Sequence, residues 1–379
     1  MALNEAALTK KVTTADNRTW WSRFLPGRAE IRDAVPGLVA VVLPIAILAE
    51  LLWYAEIRSN NAWFVDIFIA AILALIVANV RPLPARYQPG LEFSTKWFLR
   101  AGIIIYGLKF TYAYLASAGW KYLALVLLSV VVAIVVAAVV GRLLKLSPAS
   151  AALIGTGTAI CGVAAIMATA PGIKAKAEET ALAIGTILLW GTLGLLVYPM
   201  ISTVFHMSPA LFGSWTGASI HDLPQIVATA TQGGGQDALQ AALFSKLIRV
   251  AFIVVVVLFI SVGHNVRTKG PAASGRRVTV FLSALKGFPL FVVGFFFVVV
   301  LNTVFKIPAE VAGPLATWPA TVFPTTLAGL LLTLAIIGIC ARVTREAIGK
   351  AGPKALITGL AAWVAQSIVV LVVAILLLG

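Results

Sequence analysis

From residue 35 onward the chain alternates between long apolar blocks and short polar connections. Eleven blocks stand out, at roughly residues 35–55, 63–80, 97–117, 121–145, 148–172, 178–205, 209–231, 237–264, 279–304, 321–345 and 352–378. Several reach the ~20 residues that a helix needs to cross ~30 Å of hydrocarbon. The pattern predicts an all-α polytopic membrane protein with about 10–11 transmembrane helices. No connection is long enough to hold a separate soluble domain.

Two blocks break the pattern from within. Leu153 to Gly172, "LIGTGTAICGVAAIMATAPG", places Gly155, Gly157 and Gly162 beside Thr156 and Thr158, with Pro171 near its end. Glycine inside a helix costs roughly 1 kcal/mol relative to alanine. It serves either close packing between helices or an unwound midpoint, whose free backbone groups survive at membrane depth only in protein or a wet cavity. Gly217 to Gly235, "GASIHDLPQIVATATQGGG", sets His221 and Asp222 in mid-block. There Asp222-Leu-Pro-Gln225 reads as a capping box, a helix start where no helix should start. That predicts a broken helix or a re-entrant hairpin, with the positive end of the new helix aimed at the midplane. The alternative is an extramembrane loop and cap.

Composition agrees with the pattern. The chain is 60% hydrophobic and 11% charged, against about 25% charged in soluble domains. A net charge of +15 would point to nucleic acid on a soluble protein. Here the bases lie mostly between blocks and report topology, so no nucleic-acid partner is expected. With the N-terminus cytoplasmic, inside segments hold nineteen Lys and Arg, and outside segments hold five: Arg58, Lys121, Lys174, Lys176 and Lys306. This bias predicts a cytoplasmic segment over 1–34 with no cleavable signal, a C-terminus outside, and a 173–177 loop outside. Cys161 and Cys340 both lie in apolar blocks and suggest neither a disulfide framework nor a metal site.

A short internal match supports an inverted arrangement. The stretch from Ala159 resembles the stretch from Ala335, pairing Ile160 with Ile336, Gly162 with Gly338 and Lys174 with Lys350. The matching blocks are the fifth and tenth, an odd spacing that makes the copies cross in opposite directions. Inverted repeats with interrupted helices at the midplane recur in secondary transporters. The expected layout is an extra first span at 35–55, repeat one over about 63–205 and repeat two over about 209–378, all within a transporter domain of 35–379.

Five bases fall inside the blocks: Arg100, Lys109, Lys246, Arg249 and Lys286. Arg100 and Lys286 sit near inner ends and can snorkel. Lys109 is read as mid-span, facing the interior or a cavity. Lys246 and Arg249 share a helix face at a spacing of three, with snorkelling as the bland alternative. The intramembrane acids are Glu50, Asp66 and Asp222. Five bases against three acids favour an anion.

These motifs together resemble a known family. "TAICGVAAI" at 158–166, "GASIHDLPQIVATA" at 217–230, "KLIRV" at 246–250, and "PG" at 89–90 with "STKWFLRAGIIIYGLK" at 94–109 are similar to the YeiH-type sulfate exporter family. The resemblance covers most of the chain beyond residue 35, although Val163-Ala164 departs from the family's pattern. It implies a multi-pass bacterial inner-membrane protein of the bile acid/arsenite/riboflavin transporter superfamily, with inverted five-helix repeats, broken crossing helices, and core and panel domains. Sulfate, sulfite or a sulfonate is the implied substrate.

The expected function is therefore secondary active transport, as an exporter, of a small anion by alternating access, with no cofactor, no metal and no enzymatic chemistry. Substrate-binding residues are expected at Gly155, Thr156, Gly157, Thr158, Cys161, Gly162, Lys109, Lys246, Arg249 and Gly338, with proton coupling at His221 and Asp222. The partners are a small anionic solute, the lipid bilayer and H+ or Na+ as coupling ion, with a homodimer left open. The rivals are a proton- or sodium-coupled cation antiporter and a non-transporting membrane sensor. An intramembrane enzyme lacks any motif, and no G-x-x-x-x-G-K-[ST] loop is present to bind ATP.

Overall fold

A computed structural model describes residues 25–58, 64–110, 112–269, 290–308, 326–349 and 351–378. Most of the N-terminal segment, Lys286, Lys350 and parts of the ninth and tenth blocks lie outside the described residues. All regular structure among the described residues is helical. In chain order the helices are α1 (Arg28–Glu56), α2 (Asp66–Val80), α3 (88–106), α4 (Tyr112–Leu143), α5 (Pro148–Ala159), α6 (Val163–Ile173), α7 (Ala177–Phe205), α8 (Pro209–Ser219), α9 (Leu223–Ala251), α10 (Ile253–Lys269), α11 (Leu290–Phe305), α12 (Leu327–Cys340), α13 (Arg345–Gly349) and α14 (Pro353–Leu378). Four described helices are long and apolar enough to cross a membrane, and a fifth span is formed if α9 and α10, bent by 40°, act together. The protein is an all-α polytopic membrane protein, as its hydrophobic pattern predicts.

The fifth predicted block is not one crossing. α5 has 12 residues, about 18 Å at 1.5 Å per residue, and α6 has 11. They are separated at Ile160 to Gly162, where Gly162 has φ 65° and ψ −123°. Ser147, at the start of α5, donates to Glu179 at the start of α7 (2.5 Å). Ile173 and Ala177 are only a short turn apart, so α6 must return to the face from which α5 entered. The seventh block behaves in the same way. α8 runs inward, the chain turns at Ile220 to Asp222, and the first part of α9 comes back. A Cβ on Gly234 would lie 3.5 Å from Pro209 Cα, at the start of α8. Gly235, at φ 67° and ψ −155°, then turns the chain, and the rest of α9 runs beside α8. There a Cβ on Gly213 or Gly217 would lie 2.1 Å from the carbonyl oxygen of Ala238 or Ala242. Glycines four apart thus let two backbones touch.

The two blocks are re-entrant hairpins. Hairpin 1 (147–173) enters from the face where α7 starts, and hairpin 2 (208–234) from the face where α7 ends. Lys174 and Lys176 therefore share the face of Lys145, a correction to the predicted 173–177 loop on the opposite side. Hydropathy sees two half-helices as one span of normal length, which is why this was hidden.

The hairpins match in sequence as well as geometry. Thr156 to Ala170 and Thr216 to Ala230, sixty residues apart, share seven of fifteen residues: Thr, Gly and Ile in the inward halves and tip, and Ile, Ala, Thr, Ala in the returning halves. Gly338, the residue expected opposite Gly162, instead packs on α3, where a Cβ would lie 2.6 Å from the Leu91 carbonyl oxygen.

Lys109 is also placed differently. α3 ends at Tyr106, and Gly107–Lys109 form one 3-10 turn before extended Phe110. Lys109 is thus at a helix end, partly buried, and close to Gln236 (3.4 Å). Asn302 on α11 donates to the carbonyls freed by this break, Leu108 (2.8 Å) and Phe110 (3.1 Å).

Candidate functional site

The two hairpin tips meet inside the protein. Each inward half ends in carbonyls with no intrahelical donor, and the partial negative charges of two half-helix C-termini converge. Lys246 and Arg249, both fully buried on α9, answer them. Lys246 Nζ donates to the carbonyls of Ile160 (2.7 Å), Ile220 (3.0 Å) and His221 (2.5 Å), which uses all three of its protons. Arg249 donates from Nε to Ala159 (2.5 Å), from Nη1 to Ile220 (2.9 Å) and from Nη2 to Thr158. The pair share a face, as their spacing predicts, but they do not snorkel. Lys246 presents no free donor to a solute, and three of the five N–H donors of Arg249 hold the two tips together.

The returning halves begin at the same place, with their amide ends facing the crossing. Asp222 is the N-cap of α9, Pro224 lies in its first turn, and Gln225 Oε1 accepts from the Asp222 amide (3.4 Å), as the capping box predicts. Gln225 also donates to Thr192 on α7 (3.2 Å), which pins this helix start. α6 begins at Gly162 with no side-chain cap of its own. A Cβ on Gly162 would lie 3.2 Å from Asp222 Cγ and Oδ2. The carboxylate of hairpin 2 thus abuts the positive end of hairpin 1.

Around this crossing are buried polar atoms without hydrogen-bond partners: Thr158 Oγ1, both ring nitrogens of His221, Asp222 Oδ2, Trp363 Nε1 and Gln366 Oε1. Each such group costs about 1–3 kcal/mol if left unmatched, so a concentration of them marks a place for polar company. Trp363 and Gln366 on α14 are residues that the sequence reading missed. Gln366 donates to Ser129 Oγ (2.8 Å) and to the Thr158 carbonyl (3.3 Å). Trp363 lies 6.3 Å from the His221 ring between centroids. Behind the tip of hairpin 2, Tyr198 stacks on Trp215 at 3.9 Å, and Trp215 donates to the Ser367 carbonyl (3.0 Å). A polar residue in a mid-span with a strong apolar signal, such as Gln366, was the available clue.

The other predicted residues divide between site and scaffold. Thr158, Cys161, Gly162, His221, Asp222, Lys246 and Arg249 come together at the crossing. Gly155 packs on Ala137 and Gly157 on Ile166 and Ile187, and Thr156 donates to its own helix at Ala152 (2.7 Å). These three serve helix packing. Lys109 lies beside Gln236, beyond the open end of hairpin 2, and Gly338 packs on α3. Of the predicted acids, Asp66 interacts with Glu50 and accepts from Thr333 (3.4 Å), a separate polar cluster between α1, α2 and α12. Among the described residues, no group of His, Cys, Asp and Glu is arranged to hold a metal ion.

Residues 36–359 match the family model described as Conserved hypothetical protein 698. The UPF0324 membrane protein SA0329 of Staphylococcus aureus strain N315 is 32% identical over 290 residues, 76% of this chain and 82% of the relative. UPF0324 membrane protein SACOL0411 of S. aureus strain COL is 34% identical over 249 residues, 66% of this chain and 72% of its own. UPF0324 membrane protein SERP0111 of Staphylococcus epidermidis is 31% identical over 241 residues, 64% and 70% of the two chains. No solved structure matches. Hairpins, tips and the α9 cations all fall within the matched range, and the chain belongs to the Conserved hypothetical protein 698 family of membrane proteins.

Proposed function

We propose that this protein is a secondary transporter that exports a small anion, such as sulfate, sulfite or a sulfonate, by alternating access. The observation that carries this reading is the tip-to-tip meeting of two re-entrant hairpins. They place two helix amide ends and a net excess of positive charge, Lys246 and Arg249 against Asp222, at the centre of a membrane protein. Amide ends of helices favour anions, and interrupted backbone is tolerated at this depth where it lines a cavity or is buried. The sulfur oxyanion class is supported by the resemblance of the tip motifs to the YeiH-type exporters.

The protein acts without covalent chemistry, so its turnover is a change of access rather than a reaction. Moving Lys174 and Lys176 to the face of Lys145 changes the Lys and Arg count from nineteen against five to twenty-one against three. That bias favours a cytoplasmic placement of that face in the bacterial inner membrane, with the N-terminus inside and the C-terminus outside.

Counterflow in proteoliposomes tests the function. Vesicles preloaded with unlabelled sulfate, sulfite or taurine are expected to accumulate the labelled form of at least one. Absence of flux for all three, with sodium- or proton-driven cation exchange in its place, would transfer the assignment to a cation antiporter.

A further inference from the structure

The two hairpins are repeats, yet their amide ends differ in chemistry. At the N-cap, Gly162 of hairpin 1 corresponds to Asp222 of hairpin 2. Two residues later, Ala164 corresponds to Pro224. α9 therefore carries its own acidic cap and lacks one amide donor, because proline has none. α6 carries no cap and keeps every donor. Its first intrahelical amide bond is from Ile166 to the Gly162 carbonyl (3.2 Å), so the amides of Val163, Ala164 and Ala165 precede the ladder. Ala165 is turned to the Cys161 sulfur. Ala164 is exposed and Val163 partly so, whereas Cys161 and Gly162 are buried. The start of α6 therefore lies at the edge of the protein core.

Beside that start lies the Asp222 carboxylate, 3.2 Å from where a Cβ on Gly162 would sit, with Oδ2 enclosed and without a donor of its own. Two further side chains at the tips, Thr158 and His221, are fully buried and unpartnered. The charged and titratable groups around Asp222 are Lys246 on α9, Arg342 beyond α12, Cys340 on α12 and Cys161 on hairpin 1, with His221 adjacent and Arg249 behind Lys246. Lys246 commits all three protons to carbonyls and so contributes field rather than free donors, and Arg249 commits three of its five N–H groups.

We propose that Asp222 is a tethered competitor for the transported anion. As a carboxylate it occupies the amide end of α6. When it takes up a proton it releases that end, and the anion binds to the Val163 and Ala164 amides. One anion and one proton are therefore taken up together. This rests on the anion-transport reading above and adds its coupling.

The test uses calorimetry on the purified full-length protein with sulfate and methanesulfonate, whose charges are constant between pH 5.5 and 8.5 to a good approximation (~3 pH units, over which only the protein titrates). On the alkaline side, wild-type affinity is expected to fall about tenfold per pH unit, the slope for one coupled proton. Titrations in two buffers of different ionisation enthalpy are expected to show uptake of about one proton per anion by the same linkage. Asp222→Asn, and Asp222→Ser as a neutral N-cap, are expected to bind with no pH slope and no proton uptake. Ala164→Pro removes one donor while a first-turn proline is tolerated, as Pro224 is in the second hairpin. It is expected to weaken binding at least tenfold at every pH and to keep the slope.

Wild-type binding with no proton uptake, or an unchanged slope in both Asp222 variants, would overturn the coupling and leave anion transport standing. Binding of neither anion by the wild type at any pH would remove the transport reading as well.

Discussion

Lys246 and Arg249 satisfy six carbonyl contacts between them, on both hairpins. Truncating either side chain leaves buried acceptors exposed to nothing, at about 1–3 kcal/mol each. Arg249→Ala is therefore expected to lower the unfolding temperature of the detergent-solubilised protein sharply or to prevent its accumulation. Arg249→Lys keeps the charge but cannot span three acceptors with a planar fork, and is expected to lie between the two. A second expectation concerns Gly162. Its positive φ is strained for any other residue, at a cost of order 1–3 kcal/mol. Gly162→Ala is expected to reduce stability by about that much, read as a lower midpoint in a thermal melt. At this scale the chain was half legible. The spacing of Lys246 and Arg249 disclosed a shared face and left open whether the pair snorkels or is buried. It could not disclose their partners, because a backbone carbonyl has no letter of its own.

The elements were harder to read than the residues. A run of 25 apolar residues is the same length whether it crosses once or turns back. The Gly and Thr content of 153–172 and the capping box at Asp222 correctly signalled interruptions, and hairpin 2 takes the re-entrant form that the capping box left open. The direction of α6 needed the contact between Ser147 and Glu179. Beside the match between Ala159 and Ala335, the chain carries a second one between the two hairpins, sixty residues apart, which shares seven of fifteen positions. Cysteine labelling separates the two topologies. Lys145→Cys and Lys174→Cys are expected to react with an impermeant maleimide from the same face, and His206→Cys from the opposite one. Labelling of positions 145 and 174 from opposite faces would restore a continuous crossing. Packing of hairpin 2 gives a further expectation. A Cβ on Gly217 would lie 2.1 Å from the Ala242 carbonyl oxygen, so Gly217→Leu must force α8 from α9. Overpacking of this kind typically costs about 1–3 kcal/mol or more, and loss of transport together with a lower melting midpoint is expected.

Across the whole molecule, the hydrophobic count predicted the all-α membrane class but overcounted crossings by treating each hairpin as one. The hairpins have a consequence for the membrane voltage. Each inward half spans only about 18 Å, so the tips meet partway across the membrane, and a charge that passes them moves through the transmembrane potential. An elementary charge driven through the full potential exchanges about 2.3 kcal/mol per 100 mV. A monovalent anion accompanied by one proton does no net work against the field there, whereas a divalent one does. Methanesulfonate flux in proteoliposomes is therefore expected to be indifferent to an imposed potassium-diffusion potential, and sulfate flux to respond to it.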